Sequence, residues 1–425
     1  MVDTLRAQAE RVGTRGWFAL LVLLAFLRSP WVLLNGRFWA EEGSIHFAHA
    51  HNEGGLAGLT FIDQRAGYLN LIPNVGTSLA SLVPLSAAPL VTTWLAFGVL
   101  LFVLWVVLAW PSDLLPTATA RLTAAGLLLF GPAAHPEVWL NTINSQTLFG
   151  VLGIVLVFVR LDELSSRHFG LGIAALLVGA LSGLYTTILT PLFLCRAYRE
   201  RTRRTIIQAG VITAATAFQG VIVLVSRTSG SLEESKLTIP DPAELLGTFA
   251  GLHVAPIVIG RTESEQLAAN VIEPSGAWVL TVALVAGLVI GAIAFAVRES
   301  SFVILAPLGA AFVLTEGFVQ LGAWGIADAR YAVVPLSIAS LLLAHGVGVS
   351  TNALTRGVAI GLVATASIAG ITEYWTEKRI ALTCIECPDW QAEVNAWEAD
   401  PDHDLQIWPY PPWPFTPWTI ELESD

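Results

Sequence analysis

The sequence predicts an all-α polytopic membrane protein with about eleven transmembrane helices, a large first extracytoplasmic loop and a small extracytoplasmic C-terminal tail. Hydrophobic residues make up 54% of the 425 residues and charged residues only 13%, and the mean hydropathy is +0.66. A soluble globular chain carries about 25% charged residues. Apolar runs of about 17 to 25 residues, the length that a helix needs to cross a bilayer, recur along the chain.

The first predicted span is the apolar run from Trp17 to Leu34. Arg6, Arg11 and Arg15 precede it, and because basic residues mark the cytoplasmic side, the N-terminus is predicted to be cytoplasmic. The run has no small-residue cleavage site, which favours a retained anchor over a signal peptide. The later predicted spans are approximately Ala88 to Trp110, Arg121 to Ala134, Thr147 to Val159, Gly170 to Leu184, Thr186 to Tyr198, Ile206 to Val225, Ala277 to Val297, Phe302 to Leu321, Tyr331 to Val349 and Val358 to Ile371.

Arginine placement orients these spans and makes the C-terminal tail extracytoplasmic. The later basic groups that fall on the cytoplasmic side in this topology are Arg160, Arg167, the cluster from Arg196 to Arg204, Arg298 and Arg356. Lysine occurs only at Lys236 and Lys378, so no lysine-rich face indicates nucleic-acid binding.

The apolar segment from Gly67 to Pro84 is a weaker candidate for a span, because it carries Asn70, Pro73 and Asn74. If it crossed the membrane, every later loop would change sides. We therefore expect a helix that lies in the interface or dips into the helix bundle, where proline and polar groups are tolerated against protein or water.

An adjacent pair of carboxylates follows the first predicted span. Residues Phe38 to His46 read Phe-Trp-Ala-Glu-Glu-Gly-Ser-Ile-His, so Glu41 and Glu42 lie where the first helix would reach the extracytoplasmic side. Carboxylates at that depth are costly to desolvate. We interpret the pair as functional, and the alternative is a pair of solvated loop charges.

Most of the other chemically active side chains fall on the same predicted side: His46, the segments Asp63 to Tyr68 and His135 to Gln146, the long loop from about Arg227 to Gly276, the segment Ile326 to Tyr331, and the tail. No glycine-rich phosphate loop or nucleotide-binding motif is present. Because cytoplasmic nucleotide sugars do not reach an extracytoplasmic site, a substrate activated on a lipid phosphate fits this arrangement best.

These motifs resemble those of the polytopic glycosyltransferases of the GT-C superfamily. The resemblance rests on Glu41-Glu42 in the first loop, followed by His46-Phe47 and by Ala66-Gly67-Tyr68-Leu69-Asn70-Leu71-Ile72-Pro73. GT-C enzymes use polyprenyl-phosphate sugars, and one carboxylate of an acidic pair in their first loop is the proposed base. Both members are Glu here, and the first-position match favours Glu41.

Two further segments extend the resemblance to bacterial GT-C-like proteins. The segment His135-Pro136-Glu137 through Asn141, Asn144 and Gln146 is similar to their Asn-rich segment, and Arg330-Tyr331 is similar to their Arg-Tyr step. The resemblance implies a polyprenyl-phosphate sugar donor, an extracytoplasmic glycan or lipid acceptor, and a bacterial plasma membrane. It implies no definite cofactor or metal ligand and leaves a divalent cation open.

Inverting transfer from a lipid phosphate needs a base for the acceptor hydroxyl and a cation for the leaving phosphate. Glu41 or Glu42 would be the base, and the forked guanidinium of Arg330 would hold the phosphate. The candidates for binding phosphate or sugar hydroxyls are His46, His135, Glu137, Asn141, Asn144, Gln146 and Tyr331. Structural alternatives stay open: Arg330 anchors a helix end, His135 and Glu137 cap helices, and the amides satisfy one another.

Glu316 interrupts the apolar run from Phe302 to Leu321, and an acid within a span is a functional candidate. It could pair with Arg330 or orient a substrate hydroxyl. Its structural alternative is a buried carboxyl that stays protonated.

The chain divides into a transmembrane module, residues 1–372, and an acidic, Trp- and Pro-rich tail, residues 373–425. The tail contains twelve acidic residues against two basic ones, and six tryptophans. We predict a turn and a short helix from Ala381 to Ala399, then strands at Leu405 to Trp408 and Trp418 to Leu422. The tail is expected to pack on the extracytoplasmic loops and to cover the site; stacking of its aromatic rings on sugars is the alternative.

The sequence therefore predicts a membrane glycosyltransferase with membrane lipids around it and no nucleic-acid partner. Two other classes remain open: a transporter or flippase of a polyprenyl-linked glycan, with Glu316 and Arg330 along its path, and a non-catalytic membrane assembly protein.

Overall fold

The computed structural model describes residues 2–230, 248–264, 286–295, 329–376, 389–409 and 418–423. It is 75% helical and has almost no strand, which confirms the predicted all-α class.

The described α-helices are, in chain order, α1 (Val2–Arg28), α2 (Pro30–Asn35), α3 (Ala48–Asn52), α4 (Gly55–Leu59), α5 (Leu71–Ala80), α6 (Ala88–Ala109), α7 (Ala118–Phe130), α8 (Ser145–Val157), α9 (Ser166–Ala180), α10 (Thr190–Glu200), α11 (Arg203–Thr228), α12 (Pro256–Ile259), α13 (Val333–Val349), α14 (Ala353–Thr376) and α15 (Trp390–Ala399). A further apolar helical stretch covers Ala286–Phe295. Turns of π-helix cover Glu42–Phe47 and Phe249–Val254, and turns of 3-10 helix cover Leu85–Ala87, Pro136–Val138, Leu161–Glu163, Thr187–Leu189 and Ala329–Ala332.

Four of the described helical segments are long and apolar enough to cross a membrane: Leu85–Ala109, Arg203–Thr228, Arg330–Val349 and Ala353–Tyr374. The runs that become α7, α8, α9 and α10 form helices of 13, 13, 15 and 11 residues. These are shorter than the ~20 residues of a complete span. The apolar helices agree with a membrane protein, whereas the number of eleven spans and their orientation remain predictions.

The first predicted span divides into two helices. α1 ends at Arg28, Ser29 leaves the helical region (φ −147, ψ 66), and α2 begins at Pro30. The proline ring clashes with a helical conformation of the residue before it, so the chain breaks at Ser29 despite the continuous apolar pattern.

The segment from Gly67 to Pro84 contains the short helix α5, which has ten residues. At 1.5 Å per residue it rises about 15 Å, half the thickness of a bilayer core. Its buried Asn74 donates from Nδ2 to the carbonyl oxygens of Phe61, at 2.7 Å, and Leu59, at 3.3 Å. α5 is thus too short to cross a membrane alone, and its place in the interface or the helix bundle remains a prediction.

The main core lies between α6, α7, α8 and α13, where Leu104, Leu129, Ile154 and Leu341 are fully buried. Hydroxyl caps start several helices; the Oγ1 atom of Thr117, for example, accepts from the amide of Ala120 at 3.1 Å before α7. Arg28 at the end of α1 lies between the rings of Trp139 and Tyr374, with its Cζ atom 4.3 Å from each ring centroid. This contact joins α1 to α14 and to the segment before α8.

The tail forms a small separate core with the loop after α2. Two short antiparallel strands, β1 (Leu405–Gln406) and β2 (Thr419–Ile420), pair Leu405 with Ile420. The tail helix predicted within Ala381 to Ala399 is present as Trp390–Ala399, and the two predicted strands are present but shorter, with two residues each. Their apolar side chains, together with Val394 of α15, pack on Phe38 and Phe47.

Some predictions lie outside the described residues. These are the intramembrane acid Glu316, the whole span from Phe302 to Leu321, part of the span from Ala277 to Val297, Arg298, the start of the segment Ile326 to Tyr331 and the predicted turn of the tail from Ala381 to Pro388.

Candidate functional site

A cavity of about 580 Å³ collects predicted site residues from three distant parts of the chain. The predicted residues that line it are Glu41, His46, Asn144, Gln146, Arg330 and Tyr331. The predicted residues Glu42, His135, Glu137 and Asn141 do not line it and lie in the surrounding structure. Several residues singled out from the sequence thus lie around one cavity. The sequence does not distinguish those that line the cavity from those that hold the lining residues in place.

Glu41 is the acidic side chain of the pair that lines the cavity. It immediately precedes the π-helical turn Glu42–Phe47 and follows Ala40, which has a positive φ of 45°. Leu140, on the opposite segment, has a φ of 57°. Such left-handed conformations cost non-glycine residues roughly 1–3 kcal/mol, so surrounding contacts must hold both turns.

Glu42 provides one of these contacts. Its side chain is 0% exposed and accepts from the amides of Thr142, at 2.6 Å, and Trp39, at 3.2 Å, and from the Thr142 hydroxyl. Burial raises the pKa of Glu42 to about 7, against the effect of these donors and of nearby Arg37. Glu42 therefore joins the loop after α2 to the segment before α8.

Arg37 contacts residues of the same loop, of the tail and of the segment before α8. Its guanidinium carbon lies 4.5 Å from the ring centroid of Trp39 and 5.1 Å from that of Trp408. Its Nη2 atom donates to the carbonyl oxygen of Trp139 at 2.8 Å. Burial lowers the pKa of Arg37 to about 9, although Glu42 opposes the change. At neutral pH Arg37 therefore remains a cation beside Glu42.

His46 presents a neutral ring to the cavity. Its Nδ1 atom lies 2.8 Å from Oδ1 of Asn74, whose Nδ2 already donates to two carbonyl oxygens. This arrangement assigns Oδ1 as the acceptor and Nδ1 as the protonated ring nitrogen. Burial lowers the pKa of His46 to about 4. The ring is therefore suited to accept a hydrogen bond at Nε2 and is a weak base.

The segment from His135 to Asn144 is shaped by its own side chains. Nδ1 of His135 accepts from the amide of Glu137 at 3.2 Å. Nδ2 of Asn141 donates to the carbonyl oxygen of Glu137 at 2.6 Å, and its Oδ1 accepts from the amide of Asn144 at 3.0 Å. Asn141 and His135 thus hold the turn, while Asn144 reaches the cavity wall.

Arg330 lies at the cavity wall and is oriented by Glu137. Its Nη1 atom is 2.6 Å from Oε1 of Glu137, with both side chains about a quarter exposed. Its Nη2 atom lies 3.5 Å from the hydroxyl of Tyr331. The sequence did not predict this ion pair between residues 193 positions apart. Glu137 is therefore the partner that fixes the guanidinium beside the cavity.

Tyr68 is a cavity residue that the sequence-based candidates omit, although it lies in the segment from Ala66 to Pro73. Nε2 of Gln146 donates to its hydroxyl oxygen at 3.4 Å, so the hydroxyl hydrogen can point toward a ligand. Burial raises the pKa of Tyr68 to about 12, and Tyr331, Glu41 and Arg330 are close enough to act on it electrostatically. Tyr68 thus lies between the acidic and basic groups of the wall as a neutral donor.

The tail also contributes to the wall, through Trp418 and Thr419 at the start of β2. The sequence predicts that the tail covers the site, but it does not indicate which residues of the tail line the cavity.

Among the residues that the structure describes, no group of three or more His, Cys, Asp or Glu side chains is placed to hold a metal ion. Comparisons of the chain with protein-family models, with curated proteins and with solved structures find no match.

Proposed function

We propose that this protein is a GT-C-type membrane glycosyltransferase that moves a sugar from a polyprenyl-phosphate donor to an extracytoplasmic glycan or lipid acceptor with inversion. The observation that carries the proposal is one cavity whose wall includes the Glu41 carboxylate and the Arg330 guanidinium. A base and a phosphate ligand around one space are the groups that such a transfer requires.

Glu41 is the proposed base. It is the member of the acidic pair that lines the cavity, whereas Glu42 is fully buried and occupied by Thr142 and Trp39. His46 also lines the cavity, but its lowered pKa of about 4 makes it a poor proton acceptor at neutral pH. We assign His46 to a hydrogen bond with a sugar hydroxyl.

The phosphate of the donor is proposed to bind beside Arg330 and Tyr68. Glu137 holds one edge of the guanidinium, which restricts its orientation before the donor arrives. The Tyr68 hydroxyl, with a pKa of about 12, stays protonated and donates to a phosphate oxygen. A cation and a neutral donor together stabilise the negative charge that develops on the leaving group.

The proposed reaction forms two bonds and breaks two. The acceptor oxygen attacks the anomeric carbon on the face opposite the phosphate, and its O–H bond breaks as Glu41 takes the proton. The bond between the anomeric carbon and the phosphate oxygen breaks, and polyprenyl phosphate leaves with the electron pair. The chemistry needs no covalent intermediate on the protein.

The proposal includes a location: a bacterial plasma membrane, with the N-terminus in the cytoplasm and the cavity and tail outside. The distribution of arginines supports this orientation. Labelling with a membrane-impermeant thiol reagent should modify a cysteine introduced at Ser44 or Asn395 and spare one at Thr202. Labelling at position 202 from outside would contradict the orientation.

The activity can be tested with purified protein and a radiolabelled polyprenyl-phosphate sugar. We expect the wild type to transfer or hydrolyse the sugar and Glu41→Gln to lower kcat by about two to four orders of magnitude, with an unchanged melting temperature. Glu53→Gln is the matched control, because Glu53 is an exposed carboxylate of the same loop.

Equal loss in both variants, or full activity of Glu41→Gln, would contradict the assignment of the base. Movement of labelled lipid between leaflets without any sugar release would instead favour the transporter class.

A further inference from the structure

The tail is held tightly against the loop that carries Glu41. The amide of Ala40 donates to the carbonyl oxygen of Trp408 at 2.5 Å, and Nδ2 of Asn52 donates to the carbonyl oxygen of Glu421 at 3.2 Å. The ring of Trp408 stacks on Trp31 with centroids 5.7 Å apart. Contacts with α2 and with the loop therefore hold the strand region of the tail in place.

Gly43 shows how close this approach is. A Cβ atom at position 43 would lie 2.6 Å from Cδ1 of Ile407 and 3.0 Å from Cδ1 of Ile420. It would also lie 2.9 Å from Cβ of Phe38 in the same loop, so a side chain at position 43 would require these neighbours to shift. The glycine of the Glu-Glu-Gly sequence therefore allows Phe38 and the tail to lie directly on the π-helical turn. The tail and the turn form one packed unit.

This packing places Trp418 on the Glu41 side of the cavity. Trp418 packs with Trp39, Ala40 and Trp408, and Ala40 is the residue directly before Glu41. Arg330 and Tyr331 reach the cavity from a different segment, at the start of α13. The tail thus lines part of the cavity with Trp418 and Thr419, here called the tail-built wall, next to the segment that carries Glu41. The guanidinium comes from a different segment of the chain.

We propose that the tail-built wall is the acceptor subsite and that it binds a pyranose ring on the indole of Trp418, with Thr419 as a polar neighbour. The inference rests on the proposed function, because the acceptor must bring its hydroxyl to Glu41. A flat aromatic face matches the C–H face of a sugar ring, and the amides of Asn144 and Gln146 offer partners for sugar hydroxyls. The acceptor is therefore a glycan or glycolipid, with a sugar next to the new linkage.

Binding can be measured without turnover, by saturation-transfer-difference NMR on the full-length protein in detergent. The probes are the methyl pyranosides of glucose, galactose, mannose and N-acetylglucosamine for the acceptor subsite, and farnesyl phosphate for the phosphate side. Trp418→Leu keeps apolar bulk but removes the ring, whereas Trp418→Phe keeps a ring. We expect Trp418→Leu to weaken the best pyranoside about tenfold, and Trp418→Phe to stay within about threefold of wild type.

Farnesyl phosphate binding should be unchanged in both variants, which also shows that they fold. Trp397→Leu is the matched control, because Trp397 is a tail tryptophan that contacts His51 and does not line the cavity. Failure of all four pyranosides to bind the wild type, or equal affinities of the Leu and Phe variants, would overturn the proposal. Sugar transfer with no role for Trp418 would defeat only this inference, whereas pyranoside binding through Trp418 without any transfer would defeat only the proposed function.

Discussion

Replacement of Glu42 by Gln is expected to change how the stability of the protein depends on pH. The pKa of Glu42 is about 7 in the folded protein against an ordinary value of 4.5. Because the folded state binds the proton more tightly than the unfolded state, this group stabilises the fold fully below pH 4.5, and the contribution is lost as pH rises through about 7. The interval between the two pKa values corresponds to about 3 kcal/mol.

Glu42→Gln removes this pH dependence but introduces a different cost. Glu42 accepts at both oxygens, from Thr142 and from Trp39, and the Gln amide nitrogen must face one of these donors. A buried donor left without an acceptor costs about 1–3 kcal/mol. We therefore expect the variant to be less stable than wild type at pH 5 and close to wild type at pH 8.

The measurement is the free energy of unfolding in mixed detergent micelles, determined at half-unit steps from pH 5 to 8. The difference between variant and wild type isolates Glu42. His46, whose pKa is lowered to about 4, contributes a slope of opposite sign in both proteins. A constant difference between Glu42→Gln and wild type across this range would refute the reasoning.

Three other substitutions test the phosphate side and the tail. Arg330→Lys should raise the donor KM about tenfold with little effect on the acceptor, because lysine lacks the planar fork. Tyr68→Phe should also weaken donor use about tenfold or more, because a hydrogen bond to a charged group contributes about 1.5–3 kcal/mol. Gly43→Ala should push the tail away and speed amide exchange at Ile407, at a cost of about 1–3 kcal/mol; Gly98→Ala, with open space around its Cβ position, is the control.

Each of these expectations has a clear opposite. An unchanged donor KM in Arg330→Lys would assign Arg330 to anchoring a helix end. Wild-type donor kinetics in Tyr68→Phe would remove that hydroxyl from the phosphate site. Equal exchange protection in Gly43→Ala and Gly98→Ala would show that the tail does not need the close approach at Gly43.

The positions of several helices could be predicted from the sequence, because helices in apolar surroundings carry apolar side chains and so appear as continuous apolar runs. The runs near α6, α8 and α11 were found with ends close to those observed. The break at Ser29 was missed, since hydrophobicity does not register the steric effect of Pro30. The short tail strands were found because Leu405 and Ile420 lie in alternating segments bounded by turn residues.

The site was predicted less completely, since its geometry depends on contacts between distant segments. Of the adjacent carboxylates, Glu41 lines the cavity and Glu42 is fully buried behind it. Sequence alone does not tell which of the two is buried, because Thr142 decides the matter from 100 positions away. Glu137 likewise looked like a helix cap or a ligand for substrate, and its pairing with Arg330 could not be read from either residue.

The contact between Asn52 and Glu421 spans 369 positions of the chain. A ribosome adds about 5–20 residues per second, so roughly 20 to 70 s separate the synthesis of the two partners. The bond between Glu42 and Thr142 can form early in this interval, whereas the wall that contains Trp418 cannot. In a nascent chain, the loop that carries Glu41 and Glu42 would therefore be present before Trp418, which lies beside it in the folded protein. Premature termination anywhere before the strands of the tail would leave a product whose cavity lacks the residues that the tail contributes.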